Sequence, residues 1–261
     1  ATLAPVVSQE NPKQRAMVRH TVTLNMHLRF SIKSERILRF INQEARKQCE
    51  GIHQNFNIHI PHITLFSTHF AKDQKNIRQI VRDLRSGFRT FKVAATGIKT
   101  VPGDNVVLEL EPDQRIFDLQ KRTIEALRPY VRLRGKMPKW VVAYPAAQAE
   151  KKAAYYQEFG SPNVFDEYDP HVTIARFINV KDKKSKDELR NLETVCADAF
   201  EKAKQEFLFD GHHPSVIGEG GKEDVGETQQ QQQQQHPQQG QLELTITDIR
   251  TGVPAHYGTI L

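Results

Sequence analysis

Two short stretches of the chain place a threonine two residues after a histidine: "PHITLF", beginning at Pro61, and "PHVTIARF", beginning at Pro170. In an extended strand, residues two apart point to the same side, about 6–7 Å from each other. His62 and Thr64 therefore share a face, with Ile63 and Leu65 behind them. His171 and Thr173 repeat the arrangement over Val172 and Ile174. Each stretch reads as a strand that buries its aliphatic side and presents an imidazole and a hydroxyl together. Two such strands facing across a groove would surround one tetrahedral anion with two imidazoles and two hydroxyls.

The chemistry open to that set is acid–base. Histidine titrates near pH ~6.5, so one of a pair can be neutral while the other is protonated. A neutral imidazole takes a proton from water or a ribose hydroxyl, and an imidazolium gives one to the departing oxygen. In-line displacement at phosphorus needs both, on opposite sides. Threonine hydroxyls can donate to the non-bridging oxygens as charge builds there. Which histidine is acid and which is base is left open by the sequence.

A metal site is the competing reading, because His53, His59, His62 and His69 lie close together in the chain. An odd interval turns His59 and His62 to opposite faces of a regular strand. No carboxylate accompanies them, and no His-Glu-x-x-His helix is present. We therefore expect no metal and no cofactor.

The elements that must position the motifs can be read around them. "RHTVTLNMHLRF" (19–30) alternates strictly. Val22, Leu24, Met26, Leu28 and Phe30 form one face, and Thr21, Thr23, Asn25, His27 and Arg29 the other. His27 and Arg29 border the substrate if that strand flanks the groove, and are surface residues otherwise. Residues 34–50 read as an amphipathic helix capped by Ser34, with Ile37, Leu38, Ile41 and Ala45 inward. Further helices are expected at 72–88, 113–131 and about 182–207. Two strands flank a Pro-Gly-Asp-Asn turn at 102–105. Residues 132–169 are harder to read; a short strand "KWVVAYP" is expected around Trp140. The closing "QLELTITDIRTGVPAHYGTIL" alternates as a strand, followed by a turn and a final strand. Helices and strands are mixed and the turns between strands are short, so the fold class is α+β.

The paired motifs resemble those of the 2H phosphoesterase superfamily, which includes the 2′–5′ RNA ligase-like proteins and the cyclic phosphodiesterases. The resemblance rests on "HITLF" (62–66) and "HVTIARF" (171–177), supported by the order of elements over 18–208 and the closing strands. It implies a bilobal α+β fold in which two antiparallel sheets face a central groove, helices outside. It also implies metal-independent cleavage of 2′,3′-cyclic phosphates or 2′,5′-linked nucleotides or RNA. His62 and His171 match the catalytic histidines of that family, and Thr64 and Thr173 its phosphate-binding threonines. The interval between the motifs is longer than in compact members, with the surplus at 132–169.

Other groups are candidates for the groove. Arg128, Arg132, Arg134, Lys136 and Lys139 are followed by Trp140 and Tyr144, a basic run with aromatics that suits a nucleotide. Tyr168 precedes the second motif and Tyr257 lies in the closing segment. Arg176 is three residues from Thr173, so only a bulge would turn it to the phosphate. We take Tyr168, Trp140 and His27 as the substrate-binding candidates beside the threonines.

The rest bounds the setting. The net charge of +6 suits an acidic partner such as RNA or an oligonucleotide. Cys49 and Cys196 lack metal or disulfide-framework spacing, which points to reduced thiols and a cytoplasmic setting. No apolar run reaches the ~18 residues of a membrane span, the opening residues lack a signal-peptide pattern, and a monomer is expected. Residues 1–17 read as a disordered lead and 210–241, with its run Gln229–Gln235, as a disordered insertion. They interrupt one domain formed by 18–209 and 242–261. The alternative function is an RNA- or nucleotide-binding protein that keeps the groove without turnover.

Overall fold

The structure, a computed structural model, describes residues 21–49, 51–71, 75–133, 137–176, 186–209 and 241–252. The lead at 1–17, nearly all of the 210–241 insertion, Arg134, Lys136, Tyr257 and the final strand lie outside the described residues. Six strands follow the expected order: β1 (Thr21–Phe30), β2 (His62–Ala71), β3 (Phe91–Val101), β4 (Asn105–Leu110), β5 (His171–Arg176) and β6 (Leu242–Gly252). Among the described residues, five α-helices accompany them: α1 (Ile32–Gln48), α2 (Lys75–Ser86), α3 (Gln114–Leu127), α4 (Ala146–Phe159) and α5 (Lys186–Phe209). The class is α+β, and the described strands pair antiparallel throughout.

The strands close in the order β1-β2-β5-β4-β3-β6. Two halves are evident within that ring. In one, β1 lies between β2 and β6 through long ladders. In the other, β4 lies between β3 and β5. The halves join on one side through five β3–β6 pairs, Phe91↔Ile246 to Ala95↔Leu242. On the other they join through a single pair, Ile63↔Val172. The two expected sheets are thus continuous, and the seam where they meet most narrowly is the one between the two motifs.

Each half is backed by two helices. α2 packs on β6 and α3 on β2, whereas α1 and α5 pack on each other and on β3 and β5. The apolar stripes explain the docking: Ile37, Leu38, Ile41 and Ala45 of α1, and Ile116, Leu119, Ile124 and Leu127 of α3, are all buried. α1 starts earlier than expected because Ser31, not Ser34, caps it; the Ser31 hydroxyl accepts from the Ser34 N–H. Ser34 is buried instead, and its Oγ accepts from Thr245 N–H of β6 at 2.8 Å. Cys196 is buried on α5, where burial pushes its thiol up to about 12. Among the described residues, no helix is long and apolar enough to cross a membrane.

Residues 137–169 depart most from expectation. "KWVVA" forms a 3₁₀ turn, Lys139–Ala143, rather than a strand, and α4 follows it. A strand there would have needed a partner, and both edges of β5 are already taken by β2 and β4. α4 ends at Gly160, whose φ of +66° suits glycine at that position.

Candidate active site

The pair Ile63↔Val172 sets the geometry of the site. In an antiparallel register, the next positions out from that pair set His62 opposite Thr173 and Thr64 opposite His171, all on one face. Ile63 and Val172 are buried in the core below. Directly opposed Cβ atoms lie ~4.5–5.5 Å apart and diagonal ones ~7–8 Å. The four groups therefore form a square, with the two imidazoles on one diagonal and the two hydroxyls on the other. All four line a single cavity of about 290 Å³.

Both imidazoles are held in the same way. His62 Nδ1–H donates to the Ile60 carbonyl at 2.9 Å, and His171 Nδ1–H to the Asp169 carbonyl at 2.7 Å. Pro61 and Pro170, the residues between, have φ fixed by the ring, which limits the backbone to the shape that lets each imidazole reach back to that carbonyl. This is a physical reason for the proline that opens each motif. With Nδ1 protonated, Nε2 of each neutral ring carries the lone pair. Burial lowers the pKa of both rings. His62 falls to about 4, with the positive charge of His171 and Arg29 adding to the effect. His171 is also lowered by burial, but the Asp169 carboxylate works against the shift.

Each motif strand carries an irregularity just past its threonine. Along β1–β2 the register jumps from His27↔Thr64 to Met26↔Phe66, so Leu65 is the extra residue. Along β4–β5 it jumps from Val107↔Thr173 to Val106↔Ala175, so Ile174 is the extra residue. The second bulge meets the condition stated for Arg176, which now lines the cavity beside Thr173. Both bulges are held by side chains. Tyr168 donates its hydroxyl to the Thr64 carbonyl at 2.9 Å. Asn42 of α1 donates to the Ile174 carbonyl at 2.8 Å and to the Gln54 carbonyl at 2.9 Å, while its Oδ1 accepts from Phe56 N–H. Tyr168 is thus a buried support for the first motif, packed edge-on against Phe117.

The surroundings of the two histidines differ. Behind the first motif, Asn25 and His27 on the polar face of β1 are buried, while Thr23 and Arg29 are half-buried. His27 is 2% exposed and packs edge-to-face on His62 with ring centroids 5.2 Å apart. The surface alternative for His27 is therefore replaced by a position directly behind His62, and burial lowers its pKa to about 3. Asn25 Nδ2 donates to Thr64 Oγ1 at 3.2 Å, which leaves the threonine proton to point elsewhere. Around the second motif the groups are acidic and bridged. Glu109 lies opposite His171 on β4, and Lys99 pairs with Glu109 at 2.7 Å and with Asp169 at 3.0 Å.

One wall of the cavity comes from the long interval between the motifs. Trp140 and Tyr144, with ring centroids 6.1 Å apart, line it together with Gln148, Lys152 and Glu167. Lys152 is buried, pairs with Glu167 at 3.2 Å, donates to Asn163 at 2.9 Å and lies 4.7 Å from the centre of the Tyr144 ring. The basic run contributes differently from expectation. Arg128 pairs with Glu158, and neither it, Arg132 nor Lys139 lines the cavity, whose cations are Arg176 and Lys152. The clustered histidines also separate: His53 and His59 stack on each other at 6.1 Å, while His69 Nδ1 lies 2.8 Å from Thr23 Oγ1. Among the described residues, no three histidine, cysteine or carboxylate side chains are arranged to hold a metal ion.

Sequence reasoning missed Asn25, Asn42, Lys99 and Glu109. Asn42 left a signal, a polar residue inside the apolar stripe of α1. Asn25 sits on the alternating polar face that also carries His27. Lys99 and Glu109 left none, since charged residues on strands read as solvent-facing.

Comparison with known proteins gives three findings. The family model of the 2′-5′ RNA ligase superfamily matches residues 34–210, a span that holds both motifs. No curated protein matches the chain. Among solved structures, Usb1 of Kluyveromyces marxianus is similar at 14% identity, covering 69% of this chain and 84% of that one, with a TM-score of 0.38.

Proposed function

Because the chain belongs to the 2′-5′ RNA ligase superfamily, a membership that supports phosphodiester chemistry, we propose that it is a metal-independent phosphodiesterase. Its substrates are 2′,3′-cyclic phosphate or 2′,5′-phosphodiester bonds of nucleotides or RNA. The observation that carries this reading is the square of His62, Thr64, His171 and Thr173 in one cavity, built on the Ile63–Val172 pair. The phosphate sits over the square. The threonine hydroxyls donate to its non-bridging oxygens, and Arg176 offsets its charge. Trp140 supplies an aromatic face for a base.

The two histidines act from opposite corners. His62 is the base: its pKa of about 4 keeps it neutral at neutral pH, with Nε2 open. It takes the proton of the attacking water or ribose hydroxyl, whose oxygen bonds to phosphorus. His171 is the acid. Burial lowers its pKa, the Asp169 carbonyl and carboxylate work against that shift, and a bound phosphate anion adds to their effect and favours the charged form. As the bond from phosphorus to the departing oxygen breaks, His171 gives that oxygen its Nε2 proton. One proton has then moved from His171 to the product and one from the nucleophile to His62, and solvent exchange restores both.

The test is turnover of 2′,3′-cyclic AMP and of a 2′,5′-oligoadenylate by the wild type, His62→Ala and His171→Ala, each with EDTA present. The expected result is turnover by the wild type and a loss of at least ~100-fold in each variant. Binding of either ligand without turnover would mean that the groove recognises RNA and does no chemistry. Activity abolished by EDTA and restored by zinc would overturn the metal-independent mechanism.

A further inference from the structure

Gln54 lies in the loop before the first motif and is only 3% exposed. Buried side-chain amides are ordinarily matched by partners. Among the described residues nothing hydrogen-bonds to the Gln54 amide; only its main-chain carbonyl is engaged, by Asn42 Nδ2 at 2.9 Å. The side chain lines the cavity of about 290 Å³ that holds the catalytic square. A buried amide whose donors open into a cavity is placed to meet a ligand.

The backbone fixes where that amide works. His53 N–H donates to the Arg176 carbonyl at 2.8 Å, so the loop lies against the end of β5. Asn42 Nδ2 donates to the carbonyls of both Gln54 and Ile174. Phe56 N–H in turn donates to Asn42 Oδ1 at 3.1 Å. Gln54 is thus held beside Ile174 and Arg176, at the Thr173 corner of the square.

The square makes the two non-bridging oxygens of a bound phosphate unequal. In-line displacement runs along the diagonal from His62 to His171. The non-bridging oxygens lie across that line, one towards Thr64 and the other towards Thr173. At the Thr64 corner the neighbouring amide of Asn25 donates to the threonine oxygen at 3.2 Å. At the Thr173 corner Arg176 and Gln54 line the cavity together. We propose that Gln54 is a substrate-binding residue that sets specificity at phosphorus: its Nε2–H donates, with Thr173 and Arg176, to one non-bridging oxygen, and the site thereby tells the two oxygens apart. This rests on the phosphodiesterase reading above and adds a recognition element that is independent of base and sugar. Negative charge builds on that oxygen as the nucleophile bonds to phosphorus. A donor already fixed in place stabilises it without reorganisation.

Sulfur in place of one non-bridging oxygen reports on this corner, because it makes phosphorus chiral, is larger and accepts hydrogen bonds more weakly. The experiment measures kcat/KM for adenylyl-2′,5′-adenosine and 2′,3′-cyclic AMP, each as the oxygen form and as the separated Rp and Sp phosphorothioates. It uses the wild type, Gln54→Met, which keeps the length and removes the amide, and Gln54→Glu, which keeps the shape and replaces the donor by an acceptor. In the wild type one diastereomer should react at least ~10-fold more slowly than the other. Gln54→Met should slow the oxygen substrates at least ~10-fold and narrow the gap between diastereomers at least ~3-fold, since the slow isomer has already lost that bond. A residue that only shaped the cavity would slow both isomers alike. Gln54→Glu should narrow the gap as well, and it decides the matter should Gln54→Met not fold by circular dichroism. Equal rates for the two diastereomers in the wild type, or a gap unchanged in the variants that fold, overturns the assignment of Gln54 and leaves the phosphodiesterase reading intact. Turnover of neither oxygen substrate by the wild type overturns both.

Discussion

The hydroxyl of Tyr168 donates to the main-chain carbonyl of Thr64 at 2.9 Å. Tyr168 stands three residues before His171, so the approach to the second motif is tied to the backbone of the first. The bond falls beside the Leu65 bulge, where the ladder to β1 is broken and the strand would otherwise be free to shift. Because, among the described residues, only the Ile63–Val172 pair joins β2 to β5, this side chain is a second fastening across the narrow seam of the ring.

Removing that hydroxyl isolates its contribution. Tyr168→Phe keeps the ring against Phe117 and leaves the Thr64 carbonyl without this donor. The expected loss of stability is about 1–3 kcal/mol, read by urea unfolding. Turnover should fall with it, through kcat more than KM, because the square is loosened while the cavity walls remain. Wild-type kcat in a stable Tyr168→Phe protein would show that the fastening is not needed for the chemistry.

The pH dependence follows from the lowered histidines. The base acts only when neutral, and His62 titrates at about 4 in the folded chain. The acid limb of kcat/KM should therefore lie near pH 4, rather than near the usual value for histidine. Stability behaves in the same direction. His27 and His62 have folded pKa values of about 3 and about 4 against 6.5 unfolded. The unfolded chain thus takes up protons first. Their contribution is fully present above pH 6.5 and is lost as pH falls from there through the folded values. His27→Gln should flatten part of that decline in melting temperature. An acid limb at pH 6.5, or melting independent of pH between 6.5 and 4, contradicts the burial of these rings.

How much of this was legible in the sequence depends on which force decides each residue. The motif strands and the stripes of α1 and α3 were readable because periodicity reports which side is buried, and burial dominates their placement. His27 was ambiguous for the same reason: alternation says that it lies opposite Met26 and Leu28, but not that the His62 ring packs over that face. Arg176 depended on a bulge, and bulges have no periodicity. α4 escaped because its alanine-, lysine- and tyrosine-rich face buries only Lys152 and Phe159, too little apolar spacing to signal a helix. The wall that bears Trp140 was invisible as a wall for that reason.

The anchoring of that wall can be tested at Gly160. Its φ is +66°, and a Cβ there would lie 2.3 Å from Thr68 Oγ1. The Thr68 hydroxyl donates to the Phe159 carbonyl at 3.0 Å, which fastens the end of α4 to β2. Gly160→Ala adds both an unfavourable backbone conformation and a clash with that bond. We expect a cost of more than about 1 kcal/mol, a drop in melting temperature of at least ~2–4 °C, and a raised KM. An unchanged melting temperature would mean that α4 ends differently.

Asn42 offers the sharpest separation of scaffold from chemistry. It is fully buried on α1 and touches none of the four catalytic groups, yet it satisfies the Ile174 carbonyl at the second bulge, the Gln54 carbonyl and the Phe56 N–H. Asn42→Ala leaves three main-chain groups without that partner, each worth ~1–3 kcal/mol when buried and unmatched. A stability loss on the order of 3 kcal/mol is expected. The bulge sets the direction of Arg176, so the surviving folded protein should bind inorganic phosphate or a nucleoside monophosphate at least ~10-fold more weakly, read by calorimetry well below the melting temperature. His53 N–H also donates to the Arg176 carbonyl at 2.8 Å and fixes the same turn from the main chain. If Asn42→Ala loses stability while anion affinity stays at the wild-type value, that main-chain bond alone holds Arg176, and the bulge owes its geometry to the strand rather than to α1.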